Sequence, residues 1–281
     1  MVIAALNKPI RSIKPPAPTT PPPSAANGQV ASEAQVTMRL WRGDASGGEY
    51  HDYRVPAHDG EVVLDVVQRV QATQAPDLAV RWNCKAGKCG SCSAEVNGRP
   101  RLMCMTRMST LSTAQPISVA PLKTFRHIRD LVTDVSPNYV KARAMPTFLP
   151  KARERDGTRR MYQEDVDRVQ EMHKCIECYL CQNVCHVLRD HPENATAFAG
   201  PRFFLRLAAL EMHPADDANR LSLIQRQAGL GMCNITKCCT EVCPEHIKIT
   251  DNAVIPLKER VATELYDPLA WALGKITGRG A

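Results

Sequence analysis

From Val36 onward, Val36, Met38 and Leu40 alternate with polar neighbours, the period of a half-buried strand. Asp44 to Gly48 reads as a turn and Tyr50 to Val55 as the returning strand of a hairpin. The period then changes: Val63, Val66, Val67 and Val70 fall on one face of a helix, and Pro76 stands just past its end. Arg81 to Cys92 is rich in glycine and cysteine, has no periodicity and predicts a loop. Ser93 to Val96, the turn Asn97-Gly98 and Leu102 to Met105 predict a second hairpin, and Ile117 to Ala120 a last strand. Strands, one helix, a cysteine loop and more strands make one small α+β domain over residues 36–137.

Residues 138–160, with Pro146, Pro150 and Gly157, read as a connector, and beyond them the strand alternation stops. Glu164 to Met172 suggests a helix. Pro201 suits the first position of a helix carrying Phe203, Phe204, Leu205, Leu207 and Leu210. Asp216 to Ala228 reads as a helix ended by Gly229, and Asp251 to Leu265 as another, with Pro256 in its first turns or at a kink. Residues 161–281 are therefore predicted to form an all-α domain. At the other end, residues 1–35 hold Pro9, Pro15, Pro16, Pro18 and Pro21 to Pro23 among Ala, Ser and Thr, a composition that predicts a disordered tail.

A length of 281 residues suits two domains, and 44% hydrophobic residues can supply their cores. No apolar run approaches the ~18–20 residues of a membrane-spanning helix. Met1 to Leu6 is too short for the apolar region of a signal peptide. A reducing compartment is the expectation, and there twelve cysteines mean metal or redox chemistry rather than disulfides.

Those cysteines fall into three runs. Cys84, Cys89, Cys92 and Cys104 read C-x4-C-x2-C-x11-C, whose first three members have plant-type ferredoxin spacing for a [2Fe–2S] centre. Gly87, Gly90 and Ser91 keep that loop small enough for backbone N–H groups to approach sulfur, and Cys104 is expected on a strand behind it. A four-cysteine zinc site is the rival, but structural zinc more often uses two C-x2-C pairs. Cys175, Cys178, Cys181 and Cys185 read C-x2-C-x2-C-x3-C. Cys233, Thr236, Cys239 and Cys243, followed by Pro244, repeat that spacing with threonine in the second place. In the bacterial two-cluster pattern the fourth cysteine of each run serves the other run's cluster. Cys175, Cys178, Cys181 and Cys243 then hold a [4Fe–4S] centre. Cys185, Cys233 and Cys239 hold a [3Fe–4S] centre, with Thr236 at its open corner because threonine is a poor iron ligand. Cys238 is outside the register and is expected to be a buried free thiol. His173, His186 and His246 lie near cysteines but are surplus as ligands.

The net charge of +7 changes the picture little. Three clusters with their thiolates would contribute about −2 each, so the basic excess is partly compensated and no nucleic-acid partner follows from it.

The stretches WNCKAGKCGSC from Trp82, CIECYLCQNVC from Cys175 and CNITKCCTEVCP from Cys233 resemble the iron–sulfur subunits of succinate dehydrogenase and fumarate reductase, actinobacterial members in particular. The resemblance covers about Val36 to Ala281. It implies a plant-type ferredoxin (β-grasp) domain followed by a bacterial-ferredoxin-like helical domain. It further implies electron relay from an FAD-containing flavoprotein that oxidises succinate to a membrane anchor that reduces quinone, with the [2Fe–2S] centre toward the flavin and the [3Fe–4S] centre toward the quinone. The chain would then sit peripherally on the cytoplasmic face of the cell membrane, held by an anchor whose haem b content is left open. Ubiquinone-reducing members have Pro, Trp and His where this chain has His186, Asp190 and Asn234, so no quinone-site residue carries over, and menaquinone or a quinone site elsewhere in the anchor is favoured. The lack of a G-x-G-x-x-G fingerprint agrees with a flavin held by a partner. The rivals are the reverse reaction, fumarate reduction linked to quinol or thiol, and a zinc-stabilised adaptor.

Overall fold

The computed structural model describes residues 34–266 and 268–269. Two long strands, β1 (Ala34–Asp44) and β2 (Gly47–Ala57), pair antiparallel from Ala34 opposite Ala57 to Asp44 opposite Gly47. This register leaves Ala45 and Ser46 for the turn. It also puts Val36, Met38, Leu40 and Val55 into a common core. Helix α1 (Val63–Thr73) lays Val63, Val66, Val67 and Val70 against that face, as its spacing requires. Strands β3 (Ser93–Val96) and β4 (Arg99–Leu102) meet at Asn97 (φ 49°) and Gly98 (φ 72°), the paired left-handed residues of a tight hairpin. Strand β5 (Ile117–Ala120) runs parallel to β1 opposite Met38 to Leu40 and antiparallel to β3.

Two further strands, β6 (Arg126–Arg129) and β7 (Val132–Asp134), extend the sheet beyond the expected last strand, in the order β4-β3-β5-β1-β6-β7 with β2 also on β1. They carry no apolar alternation. What holds them is Asp130, left-handed at φ 46° and buried, whose carboxylate accepts the N–H groups of Gly43 at 3.0 Å and Ala79 at 2.8 Å and Arg42 Nε at 3.1 Å. Burial alone would raise the Asp130 carboxyl, but these donors outweigh it and hold it below the usual carboxylate range.

The predicted connector begins instead with a helix, α2 (Ser136–Ala144), entered through Pro137. Helices α3 (Gln163–Gln170), α4 (Leu180–Val184), α5 (His186–Arg189), α6 (Pro201–Glu211), α7 (Leu221–Arg226) and α8 (Cys238–Glu241) follow. A π-helical turn, Ile249–Val254, leads into α9 (Ile255–Tyr266), with Pro256 in its first turn. Phe204, Leu205, Leu207, Ile224, Ile247 and Leu257 fill the core between them. The helix expected over Asp216 to Ala228 is confined to α7 because Asp216 turns inward. It pairs at 2.9 Å with Arg220, both side chains 1% exposed, and Arg220 also donates to Thr147 O at 2.6 Å. That pair fixes the middle of the predicted connector, since Leu149 N also faces Asp216 Oδ1 at 3.4 Å.

Each half has its own core, and the helical half reaches into that of the sheet. Leu180 of α4 packs with the sheet residues, and the buried Asn183 donates to Glu95 Oε1 at 2.8 Å while accepting from Thr124 N at 3.1 Å and Thr124 Oγ1 at 3.0 Å. The tail predicted over residues 1–35 lies outside the described residues, except that Ala34 and Gln35 already belong to β1. Among the described residues no helix is long and apolar enough to cross a membrane.

Candidate functional site

The loop from α1 to β3 carries Cys84, Cys89 and Cys92, and it is shaped by left-handed residues at Lys85 (φ 54°), Gly87 (φ 68°) and Gly90 (φ 68°). Such reversals turn successive N–H groups into a concavity. Ala86 N and Lys88 N lie 3.4 and 3.3 Å from Cys84 Sγ, Cys84 N lies 3.5 Å from Cys89 Sγ, and Cys104 N lies 3.4 Å from Cys92 Sγ. Cys104 arrives on a 3-10 turn, Met103–Met105, rather than on the expected strand. The Met103 N–H still bonds Cys92 O at 3.1 Å in the register of the hairpin, and the turn carries Cys104 over the cysteine loop, where its N–H meets the Cys92 sulfur instead of a strand partner. Burial raises the Cys89 thiol, but the Ser91 hydroxyl and the N–H groups of Cys84 and Ser91 outweigh it and bring it down to about 6. Burial, with Cys104 and Cys89 adjacent, pushes Cys92 up to about 12.

The second and third runs repeat in backbone as well as in sequence. Glu177 (φ 56°) and Tyr179 (φ 60°) flank Cys178, and Ile235 (φ 63°) and Lys237 (φ 63°) flank Thr236. Each run then enters a short helix whose second residue is the cysteine at the run's third position, Cys181 in α4 and Cys239 in α8. One cavity has Cys175, Cys178, Cys181 and Cys243 in its wall, together with Arg202 and Ile247. The structure thus brings the fourth cysteine of the later run to the first three of the earlier one. Burial pushes Cys178 up to about 12, with Cys175 and Cys243 facing it. Cys181 goes well above its ordinary value, first by burial and then by Cys178, Cys175, Cys239 and Cys243.

Cys185, Cys233 and Cys239 also draw together. Burial pushes Cys185 to about 12, with Cys238 and Cys233 adding to it. Cys239 rises to about 11 by burial and the same two neighbours, while the Thr250 hydroxyl 3.4 Å from its sulfur works against the rise. Cys238 is not the buried thiol expected: it is half-buried at the start of α8, with its sulfur 3.3 Å from Thr236 Oγ1. Successive helical side chains diverge, so Cys239 turns inward and Cys238 toward the Thr236 loop. His173 and His246 are exposed and His186 half-buried.

The donor sets fit iron–sulfur chemistry. Crowded, buried thiols resist ionising against protein alone, and the positive charge of bound iron is what makes such thiols ionise. Among the described residues no three His, Cys, Asp or Glu converge on a point that would hold a single ion.

Two features escaped the sequence reading. Gly90 touches the second run: a Cβ there would lie 2.7 Å from Cys178 Cα, and Ser93 Oγ stands 2.8 Å from Gly90 O and 3.0 Å from Cys178 O. Arg202 lies in the cavity wall; a basic residue in the first turn of an apolar helix, against the helix dipole, was the available signal.

Residues 37–139 match the family described as 2Fe-2S iron-sulfur cluster binding domain, and residues 171–247 the family described as 4Fe-4S dicluster domain. One of the subunits of the CoM/CoB fumarate reductase of Methanothermobacter marburgensis is 30% identical over 77% of this chain, which spans only 42% of that relative's length. The mitochondrial succinate dehydrogenase [ubiquinone] iron–sulfur subunit 1 of Oryza sativa subsp. japonica is 31% identical over 76% of this chain and 78% of its own. A chain in the solved Mycobacterium smegmatis Sdh1 complex in the apo form is 66% identical with a TM-score of 0.82, over 85% of this chain and 100% of that one. Cysteine pattern, site geometry and likeness along most of the rice subunit agree: the chain belongs to the family of iron–sulfur subunits of succinate dehydrogenase and fumarate reductase.

Proposed function

We propose that the chain is the electron-transfer subunit of a succinate:quinone oxidoreductase, set between an FAD-containing flavoprotein subunit that oxidises succinate and a membrane anchor where quinone is reduced. The observation that carries this reading is the cavity walled by Cys175, Cys178, Cys181 and Cys243, which joins two distant runs as the two-cluster pattern demands. In this reading Cys84, Cys89, Cys92 and Cys104 hold [2Fe–2S]. Cys175, Cys178, Cys181 and Cys243 hold [4Fe–4S]. Cys185, Cys233 and Cys239 hold [3Fe–4S], with Thr236 at the open corner. When bound, the clusters supply one-electron carriers. The chain's own work is to bury the thiolates, aim N–H groups at sulfur, and seat Gly90 against Cys178 so that two sites adjoin.

The first half is then a plant-type ferredoxin (β-grasp) domain, a reading supported by the parallel β1–β5 pair with α1 packed on the sheet. The helical half, from about residue 161, is bacterial-ferredoxin-like. The chain would lie peripherally at the cytoplasmic face of the cell membrane, on an anchor that also carries any haem b. Departures at His186, Asp190 and Asn234 favour menaquinone. The likeness to the CoM/CoB enzyme supports a second reading, fumarate reduction driven by quinol or thiol. The test is the intact complex assayed with succinate against quinones and with fumarate against quinols and thiols. Succinate-driven menaquinone reduction is the expected outcome. Activity only with fumarate and a thiol selects the second reading.

A further inference from the structure

Arg202 is the second residue of α6, whose first turn holds no acidic residue. A cation there opposes the partial positive charge of the helix N-terminus, so the position needs another source of negative charge. Its side chain is only 10% exposed and lies in the wall of the cavity shared by Cys175, Cys178, Cys181 and Cys243. Nη2 pairs with the Glu177 carboxylate, while Nε–H, fully buried, has no acceptor in the protein. Glu177 sits between Cys175 and Cys178 in sequence, and its side chain is 41% exposed. One partly hydrated carboxylate is a weak partner for a buried guanidinium, whose removal from water is costly. Burial works against the charge of Arg202, and Cys175, Glu177 and Cys181 outweigh it.

We propose that Arg202 sets the reduction potential of the centre held by Cys175, Cys178, Cys181 and Cys243, its buried charge and unpaired Nε–H favouring the reduced form while Glu177 attenuates it. The proposal rests on the ligand set given above for that centre. One electron enters or leaves; no bond forms or breaks, and the guanidinium keeps its proton throughout. A fixed positive charge stabilises the more negative of two redox states the more, and a buried site screens it less than water does. Loss of Arg202 therefore lowers the potential, and loss of the Glu177 charge raises it. General damage to the fold has no reason to move the two variants in opposite directions.

The experiment is a redox titration of the intact complex followed by electron paramagnetic resonance, with iron counted per chain, for wild type, Arg202→Gln, Arg202→Lys and Glu177→Gln. Arg202→Gln is expected to keep its iron and lose at least tenfold in the equilibrium for reducing that centre, equivalent to about 59 mV for one electron. Arg202→Lys is expected to stay near wild type, and Glu177→Gln to titrate higher. Loaded Arg202→Gln or Glu177→Gln protein with an unchanged midpoint, or both shifted the same way, would overturn the proposal. Should Arg202→Gln lose its iron, Glu177→Gln decides alone, an upward shift supporting the proposal and no shift overturning it. A wild-type complex without a [4Fe–4S] signal would instead overturn the ligand set, before any variant is compared.

Discussion

Thr236 occupies the same backbone niche as Cys178, between two left-handed residues, but offers a hydroxyl where its counterpart offers a thiol. Thr236→Cys is expected to convert the [3Fe–4S] centre to [4Fe–4S]. Iron per chain rises by one, the oxidised [3Fe–4S] resonance disappears, and the potential falls because an added thiolate disfavours an added electron. In the proposed succinate:quinone reading, quinone reduction then slows while succinate still reduces the flavin. An undiminished resonance with unchanged iron would show that Thr236 does not face the open corner. The neighbouring pair tests the register. Cys239, buried beside Cys185 and Cys233, is expected to be essential for that centre, whereas Cys238→Ser keeps the full iron complement. Loss of the resonance in Cys238→Ser but not in Cys239→Ser would mean that the register is off by one. Spacing made this distinction legible, but the half-burial of Cys238 and its contact with Thr236 were not, since they depend on how α8 is rotated.

At the scale of elements, strong periodicity was a reliable guide and polar turns were not. β1 and α1 each present one apolar face, and α6 is buried nearly all round, so burial defines all three. β6 and β7 exist because Asp130 gathers donors from Gly43, Ala79 and Arg42, partners distant in sequence. The break before α7 has a similar origin in the Asp216–Arg220 pair. Asp216→Ala leaves the Arg220 guanidinium buried without its counter-charge and is expected to cost about 3–5 kcal/mol of stability, read as a lower urea midpoint at unchanged slope. Burial raises the Asp216 carboxyl, but Arg220 and the N–H groups of Ala218 and Leu149 outweigh it, so its folded value is depressed. Its contribution is therefore complete above the ordinary carboxylate range and is lost as pH falls through the depressed value. The gap between wild type and Asp216→Ala should close over that acidic window. A gap that persists at the lowest pH would show that packing, not charge, holds the turn.

At the scale of the whole molecule, the sheet half and the helical half are joined through buried polar groups beside shared apolar core. Asn183 is the most buried link: its amide donates to Glu95 and accepts from Thr124, with Lys123 3.4 Å from the other Glu95 oxygen. Asn183→Leu strands a buried carboxylate oxygen and the Thr124 donors, at an expected cost of about 2–3 kcal/mol. Urea unfolding followed at both the [2Fe–2S] and the [4Fe–4S] absorption should then separate into two transitions where wild type has one. A single unshifted transition in the variant would show that Asn183 is not what unites the halves.

The sequence by itself determined the three cysteine runs and the expectation that Cys243 crosses to the earlier one, because cluster ligation demands fixed spacing within a loop and the two later runs repeat that spacing position for position. It also determined the change from period-two strands to helices, because one-sided burial writes its period into the chain. Tertiary structure alone decided that Arg202 stands in the wall of the cavity where Cys243 meets Cys175, Cys178 and Cys181, and that Gly90 meets Cys178. Those relations join segments tens of residues apart through single side chains or a missing Cβ. A lone arginine or glycine carries no period, so its meaning appears only when the chain has brought its partners to it.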